Sequence, residues 1–296
     1  MKRNTMSYKV KQFLMFAGVA AVLFCAVVVI PFVYGIYLTL TSWDGIAKTK
    51  PFVGFANYAE AFKDVAYWQA LGRTAIYSIF AVVLINVVAF ALAYLVTSGI
   101  KGQNFFRAGF FVPNLIGGIV LGYIWQFVFS NVLIKLTNNI SLLSRTNTAL
   151  FAIIVVYIWQ YGGYIMLIYI TGLTQVPMDV IEAAEIDGAT PSQILFKIKV
   201  PMIQSTITIC TFLTLTSAFK QFDVNMALTN GQGSVANFMG SYLSNGTMML
   251  ALNIYNTAIA KNNYAQGQAK AVLFFIILAC ISLIQVRMSN KKEVEL

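Results

Sequence analysis

Glu182, Glu185 and Asp187 stand beside two small residues, Ala183 and Ala184, inside the stretch Pro177 to Pro201 (PMDVIEAAEIDGATPSQILFKIKVP), a polar, acidic insertion in an otherwise lipid-soluble chain. Its residue types suit recognition by something outside a membrane. Asp179 with Glu182 three positions on has the spacing to cap a short helix, and Gly188 can end that helix in the left-handed conformation. Thr190 to Gln193, with Pro191 between, has the pattern of a capping box that opens a second helix. Local chemistry thus predicts a rigid helix-turn-helix elbow. Catalytic chemistry is harder to assemble. The chain has no histidine, which removes Ser-His and Cys-His nucleophile pairs and any zinc site. Cys25, Cys210 and Cys280 lie in apolar runs and read as small hydrophobes, not as a disulfide framework. No G-x-x-x-x-G-K-[ST] loop occurs, so any ATP must be bound by a partner. The chain is expected to bind no cofactor or metal itself and to be a noncatalytic subunit.

A second set of residues could line a path for a solute. Asn86, Asn114, Tyr123, Gln126, Gln160, Tyr164, Ser217 and Gln221 place hydrogen-bonding groups within or at the ends of apolar runs. Amides and hydroxyls beside aromatic faces such as Tyr123, Trp125, Trp159 and Tyr161 suit hydroxylated ligands; the same aromatics also suit an interfacial belt. Thr208, Thr211, Thr214 and Ser217 recur at threefold spacing, which equally fits hydroxyls bonded to their own helix backbone. Lys220 and Asp223 read as a snorkelling pair at a helix end or as part of an outer gate. None of the ten carboxylates falls at the centre of an apolar run, which argues against an ion relay and for a neutral, hydroxylated cargo such as a sugar.

The elements that must hold these residues are membrane spans. The chain is 59% hydrophobic and only 10% charged, with mean hydropathy +0.75, too apolar for a soluble globular domain. The fold class expected is all-α integral membrane protein, with six transmembrane helices at about 13–40, 72–97, 105–129, 149–172, 203–222 and 268–288. Residues 1–12 and 289–296 become tails, 13–288 the transmembrane domain, and 173–202 the loop that holds the elbow. The first run is longer than a signal-peptide core and reads as an uncleaved span. The net charge of +10 is spread over the ends of apolar runs, which fits anchoring better than nucleic acid. Lys2, Arg3, Lys9 and Lys11, the Lys101/Arg107 connection, Lys197/Lys199 and Arg287/Lys291/Lys292 all fall on one side, so both termini and the elbow are expected in the cytoplasm. Lys48, Lys50, Lys63, Lys135, Arg145 and Lys261 fall on the other. Tyr58, Phe62 and Trp68 among Glu60, Lys63 and Asp64 predict one helix lying flat at the outer surface, and a short outer helix is expected between Gly240 and Tyr264. There are no paired broken helices of the secondary-transporter kind.

Position by position, Glu182-Ala183-Ala184, Gly188, Ile198 and Val200-Pro201 resemble the EAA signature of membrane subunits of binding-protein-dependent ABC importers. Further elements resemble the carbohydrate-uptake, maltose and oligosaccharide type. Pro51 to Tyr58 is similar to F-x-G-L-x-N-Y, Arg107 to Trp125 to R-x-x-F-F-x-P with a following tryptophan, and Trp159 to Leu173 to W-x-x-x-G-x-x-M-x-x-Y-x-x-G-L. Phe222-Asp223 with Leu228-Thr229 and Gly231 is similar to F-D-x-x-x-x-L-T-x-G-G-P; Gln232-Gly233-Ser234 replaces its ending, and Lys199-Val200 replaces the usual pair before Pro201. The resemblance implies a permease that carries a sugar delivered by an extracellular solute-binding protein, paired with a second, homologous permease and two ATP-binding subunits that use ATP and Mg. It also implies that Glu182, Ala183, Ala184, Glu185, Asp187, Gly188 and Pro201 couple the permease to the ATPase. Alternatives are a permease of the same architecture for an amino acid, phosphate or polyamine, a secondary transporter, or a membrane sensor.

Overall fold

A computed structural model describes residues 5–137, 141–144, 146–231 and 246–290. Lys2, Arg3, Arg145, Lys291, Lys292, the Gln232 to Ser234 departure and the start of the run from Gly240 lie outside these residues. In hydrocarbon a backbone must bond to itself, and apolar runs of this length do so as helices. Among the described residues the extended structure amounts to one antiparallel bridge, Thr41 to Phe52.

Helix α1 runs Met15–Leu38, α2 Ala56–Lys63, α3 Val65–Thr97 and α4 Gln103–Phe111. Next come α5 (Gly118–Leu136), α6 (Thr146–Thr174), α7 (Met178–Ile186), α8 (Pro191–Met202) and α9 (Gln204–Phe219). The last three are α10 (Asp223–Leu228), α11 (Leu250–Tyr255) and α12 (Tyr264–Asn290). Among the described residues five helices are long and apolar enough to cross a membrane, and the bent pair of α8 and α9 makes up to six. The chain is an all-α, multi-pass membrane protein.

Three expectations are corrected. The run 105–129 is not one helix: α4 ends at Phe111, a 3-10 turn follows over Val112–Leu115, and the spanning segment starts at Gly118. Pro113 supplies no backbone N–H there, and Ile116 and Gly117 are extended (ψ 128 and 135). The helix expected to lie flat at the outer surface holds Tyr58 and Phe62 in α2 but not Trp68, because Asp64 turns extended (ψ 100) and Trp68 enters α3, which begins well before residue 72. Finally, the run 203–222 is helical only over Gln204–Phe219, preceded by a 72° bend where Pro201 stands in the last turn of α8.

The chain forms two compact units. One gathers the segment up to Asp64 with Ile254–Leu273. There the Pro51 to Tyr58 element folds back on the end of α1: buried Asn57 donates to the carbonyls of Thr39 and Thr41, each at 2.7 Å, and the Tyr58 hydroxyl meets Thr39 Oγ1 at 2.9 Å. These bonds serve the orphan carbonyls at a helix C-terminus. Asp44 Oδ1 accepts from the N–H groups of Ala47 (2.8 Å) and Ile46 (2.9 Å), which hold its carboxyl below the usual range. Farther along, Lys270 of α12, 2% exposed, donates to Asp64 at 2.7 Å and to Thr257 at 2.8 Å.

The second unit holds Val65–Asn253 and the segment from Phe274. On α3, Tyr77, Ala81, Ile85, Ala89 and Ala93 recur every four residues, forming a buried stripe of mostly small side chains that lets α6 approach. Asn86 stands beside this stripe. It donates to Val82 O (2.8 Å) and Thr214 Oγ1 (2.9 Å) and accepts from the Tyr169 hydroxyl (2.7 Å), tying α3, α6 and α9 together. Glycines set other contacts. A Cβ on Gly122 would lie 2.5 Å from Ala227 Cβ, and one on Gly118 would lie 2.6 Å from Asp223 Cβ, so α5 meets α10 through two small residues one turn apart. At Gly163 a Cβ would lie 1.8 Å from the carbonyl oxygen of Phe110, whereas one on Gly162 meets nothing within 4 Å.

That neighbouring pair makes a controlled test. Gly163→Ala must push helix backbones apart and is expected to cost about 1–3 kcal/mol, while Gly162→Ala should stay within about 0.5 kcal/mol; unfolding of both variants in detergent decides, and equal losses would contradict the packing. The Lys270 pair predicts an asymmetry. Asp64→Asn strands a nearly fully buried cation and should cost about 3 kcal/mol or more, whereas Lys270→Met leaves a carboxylate that is 27% exposed and can hydrate. The same unfolding measurement should therefore rank Asp64→Asn as the worse variant.

Candidate functional site

The elbow is built by local bonds. Helix α7 starts after Pro177, which is extended (φ −61, ψ 135) and gives no side-chain cap. Asp179 is thus not the cap expected from its spacing. It lies in the first turn, where its charge favours the helix dipole. At the other end Ala189 N–H donates to Ala184 O (2.9 Å) and Gly188 N–H to Glu185 O (3.0 Å), the paired bonds of a Schellman motif, with Gly188 at φ +80. The next helix opens two residues later on the expected box: Thr190 N–H donates to Gln193 Oε1 (2.7 Å) and Gln193 N–H to Thr190 Oγ1 (3.4 Å). Two stop and start signals within three residues fix the angle between α7 and α8.

The face so presented is exposed. Glu182, Ala183, Glu185 and Asp187 are exposed and Ala184 is half-buried. Met178 and Ile186 add apolar surface at 60% and 86% exposure. A hollow of about 280 Å³ lies in the angle, lined by Asp187, Gly188, Ala189, Gln193, Lys197 and Ile198. Pro201 sits apart, at the bend into α9.

A cavity of about 410 Å³ gathers a different set: Tyr161, Tyr164 and Ile165 of α6, Leu213, Thr216 and Ser217 of α9, and the turn Lys220 to Asp223. It collects Tyr164, Ser217, Gln221, Lys220 and Asp223 from the residues named on sequence grounds. Gln221 is buried, with Nε2 3.5 Å from the Tyr77 hydroxyl, while Lys220 and Asp223 are exposed. Behind the wall, the Tyr157 ring lies 4.5 Å from that of Tyr161 and 5.9 Å from that of Tyr77.

The other path candidates are not among the residues lining this cavity. The Asn86 amide is already bonded between three helices. Gln126 donates to Leu228 O and Gln160 to Ile116 O, each at 3.3 Å, and Asn114 falls in the 3-10 turn before α5. Tyr123 is 50% exposed on α5. Thr208 and Thr214 donate to the carbonyls of Gln204 and Cys210 four residues back, the backbone-bonded alternative. Sequence reasoning missed Thr216, one residue off the threefold pattern, and Lys270. The signal for the latter was a lone lysine at the third position of the last apolar run.

Comparison with known proteins places this geometry. Residues 85–292 match the family described as binding-protein-dependent transport system inner membrane component. The probable starch degradation products transport system permease protein AmyD of Thermoanaerobacterium thermosulfurigenes is 41% identical over 276 residues, with 91% of each chain covered. The multiple sugar-binding transport system permease protein MsmF of Streptococcus mutans is 30% identical over 272 residues, covering 89% of this chain and 90% of its own. In fold, the chain is similar to a chain in the crystal structure of a bacterial ABC transporter involved in import of the acidic polysaccharide alginate, with TM-score 0.79, 16% identity and coverage of 97% and 99%. By the family match over most of its length and by two near full-length relatives, the chain belongs to the inner membrane components of binding-protein-dependent transport systems.

Proposed function

We propose that this permease carries a sugar or oligosaccharide, handed over by an extracellular solute-binding protein, through the cavity between α6 and α9. The observation that carries the reading is the convergence of aromatic rings, hydroxyls and a buried amide at Tyr161, Tyr164, Thr216, Ser217 and Gln221 in one cavity. Rings offer faces to the apolar side of a pyranose, and hydroxyl and amide groups match its hydroxyls. The cavity carries one cation and one anion, Lys220 and Asp223, so it presents no net charge to the cargo. The names of AmyD and MsmF, both associated with sugars or starch products, support the same cargo.

Energy comes from outside the chain in this reading. Both termini and the elbow face the cytoplasm, on the side of Lys101, Arg107, Lys197 and Lys199. The exposed α7 docks in a partner ATPase through Ala183 and Ala184, while Glu182, Glu185 and Asp187 meet its basic side chains. ATP and Mg bind the partner alone. When two such ATPases close on ATP, α7 moves; Gly188 and the capping box transmit that motion as a rigid lever through α8 and Pro201 to α9, which walls the cavity, and a second permease moves in concert. The membrane subunit itself makes and breaks no covalent bond.

Two measurements test this. Gly188→Val should reduce uptake at least tenfold at unchanged membrane abundance, whereas Gly188→Asn should retain most of it. No side chain crowds the site, but the φ of +80 is costly for a β-branched residue and tolerable for asparagine. Equal uptake by both variants would remove the elbow from the mechanism. For the cavity, Tyr164→Ala and Gln221→Leu should lower uptake of radiolabelled maltodextrins severalfold while ATPase subunits still co-purify. Retained uptake in both would place the cargo's path elsewhere.

A further inference from the structure

Away from the cavity and the elbow, α3, α4 and α6 enclose a groove of about 480 Å³ whose walls include Val88, Leu92, Phe110, Pro113, Ile158 and Trp159, with no charged residue in its lining. Phe110 and Trp159 remain 37% and 44% exposed at its edge, and the next turn of α4 carries Phe106 at 40%. One turn before Phe110, on the same face of α4, stands Arg107, half-buried. Its Nε is shielded from solvent and has no hydrogen-bond acceptor. Side chains on a helix lean toward its N-terminus, so Arg107 is directed away from the apolar groove and toward the connection that carries Lys101. An apolar slot thus lies one helical turn from a half-buried guanidinium, on the side of α4 nearer the turn between α3 and α4.

From this we infer that the groove binds one phospholipid with an anionic headgroup, its acyl chain against Phe110 and Trp159 and its phosphate against Arg107, with Lys101 adding charge. Apolar walls accept an acyl chain of any lipid. The guanidinium selects, since it answers a phosphate oxygen with a charge-assisted bond, and an anionic headgroup lacks the ammonium that would repel the two cations. A basic pocket between membrane helices has the right chemistry for such a headgroup. A protein segment would need an acidic side chain set beside a long apolar one; a lipid supplies both in one molecule.

The test places p-benzoyl-phenylalanine at Phe110 of the full chain, purified with the subunits that accompany it and reconstituted in nanodiscs of equal phosphatidylglycerol and phosphatidylcholine. After irradiation, mass spectrometry identifies what is attached. Phosphatidylglycerol adducts should exceed phosphatidylcholine adducts roughly fivefold, the preference one interfacial cation can give. Arg107→Gln should bring the ratio toward unity, and Arg107→Lys should keep most of it. Equal capture of the two lipids, an unchanged ratio in Arg107→Gln, attachment mainly to a protein subunit, or no lipid adduct would each overturn the inference.

Discussion

A polar group inside hydrocarbon has no water to turn to, and this constraint decides where several polar side chains of the buried helices end up. Asn86 illustrates it most fully, with donors on Val82 and Thr214 and its acceptor on Tyr169. Gln126 and Gln160 reach carbonyls in other segments, at Leu228 and Ile116. Thr208 and Thr214 turn back to their own helix. Each such bond works as a fastener between helices or within one. What is left facing open volume is the smaller group around Tyr164, Ser217 and Gln221.

Glycine does the complementary task of bringing backbones close enough for those bonds to form. The glycine of the Trp159 to Leu173 element, Gly163, sits under the Phe110 carbonyl, and Gly172 nine residues on faces the Thr206 side chain at 2.5 Å from where a Cβ would be. A sequence pattern that looks like a signature is therefore a packing requirement: α6 must touch α4 at one point and the start of α9 at another. Asn57 in the Pro51 to Tyr58 element is of the same kind, a cap for the end of α1.

Much of this was legible in the sequence, unevenly and for physical reasons. Long apolar runs announce helices because length and composition alone fix them, and the Gly188 turn and Thr190 box were readable because they are local. The break after Phe111 was signalled by Pro113 but outweighed by the hydrophobicity of its flanks. Asp179 has the right spacing for a cap, yet Pro177 had already set the extended entry to the helix. The partners that Asn86 and Gln160 find in other segments lie 44 to 128 residues away, and no spacing rule reaches that far. Lys270 was invisible for the same cause, since its carboxylate is 206 residues distant.

The position of the cavity follows from the length of one helix. α9 has 16 residues, about 24 Å at 1.5 Å per residue, against a hydrocarbon core of about 30 Å. A helix that short cannot cover the distance alone. It is extended by the bent α8 at one end and at the other by the irregular turn from Lys220 to Phe222. Non-helical backbone near membrane depth is tolerated where it is buried in protein or lines a water-accessible space, and Lys220, Gln221, Phe222 and Asp223 line the cavity. The same shortness explains why α10 packs so closely on Gly118 and Gly122 of α5: the chain after the turn must be returned to protein contact at once. An α9 lengthened by one turn would carry Lys220 and Gln221 into regular helix and swing their side chains away from the open volume beside Tyr164.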